Sequence, residues 1–235
     1  MSNYTIELLT QEWIRNTLIT FLLIPGVILI GKYNSSNKNI FLLKCVSIIL
    51  LIVTISGHIL DINNNNWTIS EHLPLHLCAM NQLICCFILF IPKKQFLFEF
   101  LFYGGVIGGI QAILTPQINY YDGSYFMYFK YYLAHSLIII FPLFLYFNLG
   151  FKLTKNSWLR VFLAVNILMI LIMPLDFLID ANYMYLAEPP EIDNPFVIGK
   201  WPYYLINLEF IVVTLFLLTY LLFKSKIKVA KNLKY

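Results

Sequence analysis

Seven apolar runs, each close to twenty residues long, take up nearly the whole of this 235-residue chain: roughly 14–31, 40–60, 73–91, 96–115, 128–150, 158–180 and 203–223. A run of that length is what an α-helix needs to cross the hydrocarbon core of a bilayer. Within lipid a spanning segment must satisfy its own backbone polar groups, which makes each run a helix. The composition agrees, with 60% hydrophobic and only 12% charged residues. A soluble domain of this size has no core large enough to hide so much apolar surface. The expected architecture is all-α: one polytopic membrane domain over 1–235, a bundle of seven transmembrane helices with no soluble domain attached.

The basic residues set the orientation, because connections rich in Lys and Arg stay on the cytoplasmic side. Lys32, Lys38 and Lys44 flank the first connection, Lys93 and Lys94 the third, and Lys152, Lys155 and Arg160 the fifth. Lys224, Lys226, Lys228, Lys231 and Lys234 follow the last run. Only Arg15, Lys130 and Lys200 fall on the other side, where Asp61, Glu71, Asp122, Glu188, Glu191 and Asp193 collect. The N-terminus is therefore expected outside and the C-terminus in the cytoplasm of a multi-pass cell-membrane protein. The net charge of +4 is this bias seen in bulk, not a nucleic-acid footprint, and the basic tail suits anionic lipid heads. Glu7 and Glu12 precede the first run and no small-residue cleavage site follows it, so it reads as a retained span. Cys45, Cys78, Cys85 and Cys86 all lie within runs, which argues against a structural disulfide.

Span four carries Gly104, Gly105, Gly108 and Gly109, two overlapping pairs spaced by four that allow a neighbouring helix close approach. Pro74 opens span three, where a missing N–H costs nothing. Pro142 and Pro174 are interior and should kink or loosen spans five and six. The longest connection, 181–202, holds Pro189, Pro190, Pro195 and Pro202 together with Tyr183, Met184, Tyr185 and Phe196. It reads either as an interfacial aromatic loop or as a lid over the outer mouth of the bundle.

Ionisable groups inside a membrane are costly and are usually kept for a function. All four histidines, His58, His72, His76 and His135, sit near the outer ends of their runs. With a rise of about 1.5 Å per residue, His76 and Cys78 lie roughly 5–8 Å below Leu73, and His135 about 10 Å down span five. Asn81, Gln111, Asp176 and Glu209 fall at a similar depth, near the lipid ester level of the outer leaflet. On a continuous helix His76 and Cys78 would stand about 200° apart. A base for Cys78 must then come from another span, His135 first by depth and His58 second. Three or four histidines with Asp176 or Glu209 could instead ligate zinc, although His72 and His76 are the only ligand-like spacing. Glu99 and Asn166 read as locally hydrogen-bonded groups.

Five strings in order resemble the YwaF-type integral membrane family, which includes bacterial members: Leu73-Pro-Leu-His-Leu-Cys78, Gly108-Gly-Ile-Gln-Ala-Ile-Leu-Thr-Pro116, His135, Asn182-Tyr-Met-Tyr-Leu186 and Trp201-Pro-Tyr-Tyr204. Together they cover roughly residues 40–223. The resemblance implies seven spans and kinship with a eukaryotic family that acts as an ether-phospholipid acyltransferase through a cysteine. It points to Cys78 as that cysteine and to His76 and His135 as matching polar positions. One departure stands out: Gln117 follows Thr115-Pro116 where the family pattern implies an acidic residue.

The reading these observations favour is acyl transfer between membrane lipids at the outer leaflet. Cys78 is the nucleophile, His135 its base, and the acyl-thioester passes to a lysophospholipid hydroxyl. His76 and Gln111 would hold the oxyanion or a phosphate, with Asn81, His58, Asp176 and Glu209 as further substrate contacts. No soluble cofactor and no metal is required. The alternatives are a metal-dependent lipid hydrolase and a small transporter or lipid-binding protein with proton-carrying histidines, though no paired broken helices suggest a transporter.

Overall fold

The computed structural model describes residues 3–119, 121–192 and 194–224. Met1, Asp193, Tyr235 and the tail lysines Lys226, Lys228, Lys231 and Lys234 lie outside the described residues.

The protein is all-α, with 71% of the chain helical. Six helices are long and apolar enough to cross a membrane. In chain order we label the elements β1 (Tyr4–Thr5), α1 (Gln11–Lys32), α2 (Ser36–Asn63), α3 (Ile69–His72), α4 (Leu77–Phe87), α5 (Gln95–Leu114), β2 (Gln117–Ile118), α6 (Tyr125–Asn148), α7 (Ser157–Ile179) and α8 (Tyr203–Phe223). Hydroxyl caps fix several starts: Thr10 accepts from Trp13 N at 3.2 Å, and Ser124 accepts from Met127 N at 3.2 Å. Helices α6 and α7 continue through Pro142 and Pro174.

The third apolar run departs from the expectation of a full-length span. Its helix has only 11 residues, about 16 Å at the usual rise, half the thickness of the hydrocarbon core. Pro74 restricts Leu73 to extended backbone (φ −68°, ψ 144°), a tight turn follows in which Leu75 N donates to Leu73 O at 2.8 Å, and His76 is again extended (φ −65°, ψ 142°). The helical ladder starts only at the bond from Met80 N to His76 O, 3.0 Å. A second departure lies inside α5, where Leu101–Gly105 is π-helical. Such a wide turn carries one extra residue and shifts the face that the helix shows thereafter.

Helices α5 and α6 form the axis of the bundle. About half of each spanning window is buried, 56% and 50%, against 11–22% for α1, α2, α7 and α8. The glycines of α5 make the contact possible. A Cβ on Gly105 would lie 2.6 Å from the Ile138 carbonyl oxygen, and one on Gly109 2.6 Å from Ile139 Cγ1 and 3.0 Å from the His135 carbonyl. The core around this axis holds Phe98, Phe102, Tyr103, Ile138, Phe141 and Cys85. The outer helices leave large apolar side chains uncovered, Leu178 80% and Leu222 79% exposed among them, as a lipid-facing surface does.

The two ends of the bundle differ in character. At the end carrying Lys93, Lys94, Lys152 and Arg160, the fully buried Glu99 is satisfied on all sides. Its carboxylate accepts from Gln95 Nε2 (2.9 Å), Thr154 N (3.0 Å), Thr154 Oγ1 (2.6 Å) and Arg160 Nη2 (2.7 Å). Glu99 is thus a locally bonded structural group. At the opposite end β1 pairs antiparallel with β2, Tyr4 against Ile118 and Thr5 against Gln117, and ties the N-terminal segment down beside the start of α6. The sequence gives no sign of this pairing.

Candidate functional site

A cavity of about 420 Å³ opens at the β1/β2 end, between α4, α5, α6, α7, α8 and the 181–202 link. Five of the polar residues singled out by depth line it: His76, Cys78, Gln111, His135 and Glu209. Its deep wall is apolar, formed by Ile138, Val165, Val212 and Phe216, and its mouth is polar, formed by Gln117, Asn119, Tyr185 and Asn194.

Cys78 is the second residue of α4 and packs beside Gly108, where a Cβ would stand 3.4 Å from its Sγ. The first amides of a helix have no intrahelical acceptor. Here the N-cap residue His76 offers no side-chain bond to them. The N–H groups of Leu77, Cys78 and Ala79 have no acceptor among the described residues. The thiol therefore sits beside unbonded amides at the start of a helix.

His76 and Cys78 were expected on opposite faces, and that expectation fails. His76 is not helical (φ −65°, ψ 142°), so the 100° step does not apply to it and both side chains line one cavity. The ring of His76 rests against Tyr183 and Tyr185, centroids 5.3 and 5.6 Å away. Its Nδ1 accepts from Met184 N at 3.2 Å. An Nδ1 that accepts leaves the proton of the neutral ring on Nε2. His135 is fixed the other way round. Its Nδ1 lies 2.8 Å from the Tyr131 carbonyl oxygen, which can only accept, so Nδ1 is protonated and Nε2 keeps its lone pair. The cavity thus holds one imidazole set as a donor and one set as an acceptor.

The link packs over the cavity as a lid would and forms part of its wall. Met184, Tyr185, Leu186, Pro190, Ile192 and Val197 line the cavity. Met184 and Tyr185 are both left-handed (φ 56° and 57°), an uncommon conformation for non-glycine residues that turns the Met184 N–H onto His76. Tyr183 OH donates to Ile69 O (2.6 Å) and accepts from Leu73 N (2.9 Å). Trp201 Nε1 donates to Leu186 O at 2.9 Å. Burial pushes the Tyr185 phenol up to about 12, so it meets the cavity as a neutral hydroxyl. Gln117, the departure from the acidic pattern, accepts from Ile192 N through Oε1 at 3.2 Å and donates through Nε2 to Asn119 at 3.0 Å. The accepting oxygen that a carboxylate would offer the link is retained.

Three predicted contacts do not line this cavity. Asn81, on the face of α4 turned to α5, is fully buried, donates to Leu77 O at 2.8 Å and packs against Gly104 and Gly105. Asp176 is fully buried and accepts from Tyr183 N at 3.0 Å, which makes it an anchor of the link. His58 accepts from Trp67 Nε1 at 3.2 Å. None of the three turns its side chain into the cavity. Glu209 is on the wall and accepts from Asn166 Nδ2 at 3.1 Å. Gln82, four residues after Cys78 and so on its helix face, joins the wall, as do Tyr131 and Asn119, which sequence reasoning passed over. Among the described residues, no three of His, Cys, Asp and Glu converge to hold a metal ion, so the zinc alternative has no ligand set there.

Six apolar helices of spanning length around a largely apolar cavity define a multi-pass membrane protein. A family model matches residues 8–220, nearly the whole described chain. The chain belongs to the TMEM164 family. Neither a curated protein nor a solved structure matches it.

Proposed function

We propose that this protein transfers acyl chains between membrane phospholipids through a thioester on Cys78. The observation that carries the proposal is the pair of oppositely set imidazoles beside a thiol at the open amide end of α4. In the first step His135 Nε2 takes the Sγ proton and the thiolate adds to an ester carbonyl. The oxyanion is held by the amides of Leu77, Cys78 or Ala79 and by the His76 Nε2–H. Collapse breaks the ester C–O bond, and the departing lysolipid oxygen takes the proton from His135. In the second step a lysophospholipid hydroxyl gives its proton to His135 and attacks the thioester, which releases the thiol with its proton restored. Atoms balance without any soluble cofactor.

The apolar deep wall accommodates the acyl chain, and the polar mouth the head-group side. In this reading the seven apolar segments all traverse the cell membrane, with α4 as the short member, the N-terminus outside, and the site in the outer leaflet. The basic residues at the opposite end of the bundle support that orientation. The test is to incubate the purified chain with a phospholipid bearing a labelled acyl chain and to measure intact mass. A hydroxylamine-sensitive acyl adduct on Cys78, discharged by added lysophospholipid, is the expected result. Undiminished transfer by Cys78→Ala would defeat the proposal.

A further inference from the structure

Helix α8 gives the cavity a wall with a definite end. Leu205, Leu208, Glu209, Val212 and Phe216 all line it. Steps of three and four residues put them on one helix face, a stripe that runs down from the mouth. The one charged member, Glu209, has an oxygen held against α7 by Asn166 Nδ2 at 3.1 Å. Between Leu205 and Phe216 the helix descends about 16 Å at the usual rise, roughly half of a hydrocarbon core of about 30 Å. The slot is one leaflet deep, the reach of a single extended acyl chain. Cys78 and His135 line it nearer the mouth, with Ile138 a turn deeper than His135 on α6.

At the bottom, aromatic rings packed on one another close the slot. Phe216 is only 2% exposed and stacks on Tyr103, with centroids 5.2 Å apart and planes at 30°. Tyr103 is fully buried, and its hydroxyl lies 2.8 Å from Ser157 Oγ. Behind it Phe102 meets Tyr103 at 6.2 Å, Tyr146 at 5.6 Å and Phe223 at 5.1 Å. Rings in a close-packed interior have no free volume to retreat into, so this floor is hard. Of the block, Phe216 is the ring that meets the cavity.

We infer that Phe216 is the stop of a chain-length ruler: the slot accepts an alkyl chain that ends at its ring and discriminates against longer ones. The inference deepens the acyl-transfer reading and rests on it only for the consequence that the measured chain is the one transferred. Each methylene that finds room in the slot strengthens binding about fourfold. Past the ring that gain ends, because a further methylene must fold back or remain at the polar mouth.

The test uses the purified full-length chain in detergent and free saturated fatty acids of ten to twenty carbons, which have no ester to cleave. Competition against one labelled fatty acid reads their relative affinities. In wild-type protein affinity should climb about fourfold per methylene to a limiting length and then level or fall. Phe216→Ala uncovers Tyr103 and should move the limit to longer chains, binding the first lengths that wild type rejects at least about tenfold better. Val212→Phe sets a ring one turn higher, about 6 Å, and should move the limit to shorter chains. The second variant adds a ring and leaves the buried block intact, so it decides the matter if Phe216→Ala does not fold. A wild-type gain that continues through the longest chain would overturn the inference, as would a limit that a folded Val212→Phe leaves in place. The chemistry is read separately, as the mass of the adduct on Cys78 from phospholipids of the same chain lengths. A ruler obeyed by fatty acids with no adduct from any phospholipid would keep the stop and sink the acyl-transfer reading. Adducts of every length in equal yield would sink the stop and keep the transfer.

Discussion

Two neighbouring glycines of α5 should respond oppositely to one added methyl group. At Gly105 the new Cβ would lie 2.6 Å from a backbone oxygen of α6, the Ile138 carbonyl, and 2.9 Å from Leu101 Cδ1. Ordinary contact begins near 3.4 Å, so α6 must retreat by about 0.8 Å, and a carbonyl cannot swing away as a side-chain tip can. Overpacking of this kind costs about 1–3 kcal/mol. The retreat also carries His135, one turn before Ile138, away from Cys78. A misplacement near 1 Å in a reacting pair costs about 100-fold in rate. At Gly108 a Cβ would meet, within 4 Å and among the described residues, Cys78 Sγ alone, at 3.4 Å, so alanine fits there without moving a helix. Thermal unfolding in detergent, followed by fluorescence-detected size exclusion, should show Gly105→Ala melting several degrees below wild type and Gly108→Ala unchanged. Gly108→Leu should still assemble but fill the cavity in front of the thiol. If Gly105→Ala melts with wild type and Gly108→Ala does not, the axial packing of α5 on α6 has been assigned to the wrong face.

Further outcomes follow from the same geometry. His135→Ala should slow acyl-adduct formation on Cys78 by about 10²–10⁴-fold, the usual worth of a general base, with folding retained; a normal rate by mass spectrometry would remove it from the mechanism. Glu99→Leu should lower stability by about 1–3 kcal/mol through the unbonded Thr154 and Gln95 groups, with Arg160 free to reach water, and should leave the lipid-binding profile of surviving protein intact. Asp176→Leu should release the Tyr183 amide and loosen the link, read as faster proteolysis between residues 181 and 202, whereas Asp176→Asn keeps an accepting oxygen and should not.

Much of the bundle was legible because lipid imposes a simple rule on sequence. Apolar runs located the helices, and depth at a fixed rise placed His76, Cys78, Gln111, His135 and Glu209 at one level, where a single cavity does collect them. Depth says nothing about azimuth, which is why Asn81 and Asp176 turned out to be buried braces. The face assigned to His76 failed for a different reason: a turn over Pro74 and Leu75 leaves His76 outside the helix, so helical periodicity starts at Leu77, four residues after the apolar run does. Tyr131 escaped notice because its role depends on a partner outside its own helix, the amide of Gln117.

The division between an inner pair of helices and an outer ring has a consequence for how a protein of this kind can drift. A residue on α1, α2, α7 or α8 that faces lipid answers only to its solvent, and many apolar side chains satisfy that demand equally well. A residue on the α5–α6 axis or at the mouth answers to named neighbours at fixed distances. The five strings that resemble a known family, scattered from Leu73 to Tyr204, come together in space as the start of α4, the end of α5, one turn of α6, the lid, and the Trp201 and Tyr204 side chains that brace it. What reads along the chain as faint, interrupted likeness is in three dimensions one continuous patch, surrounded by sequence that is free to change its wording so long as it stays oily.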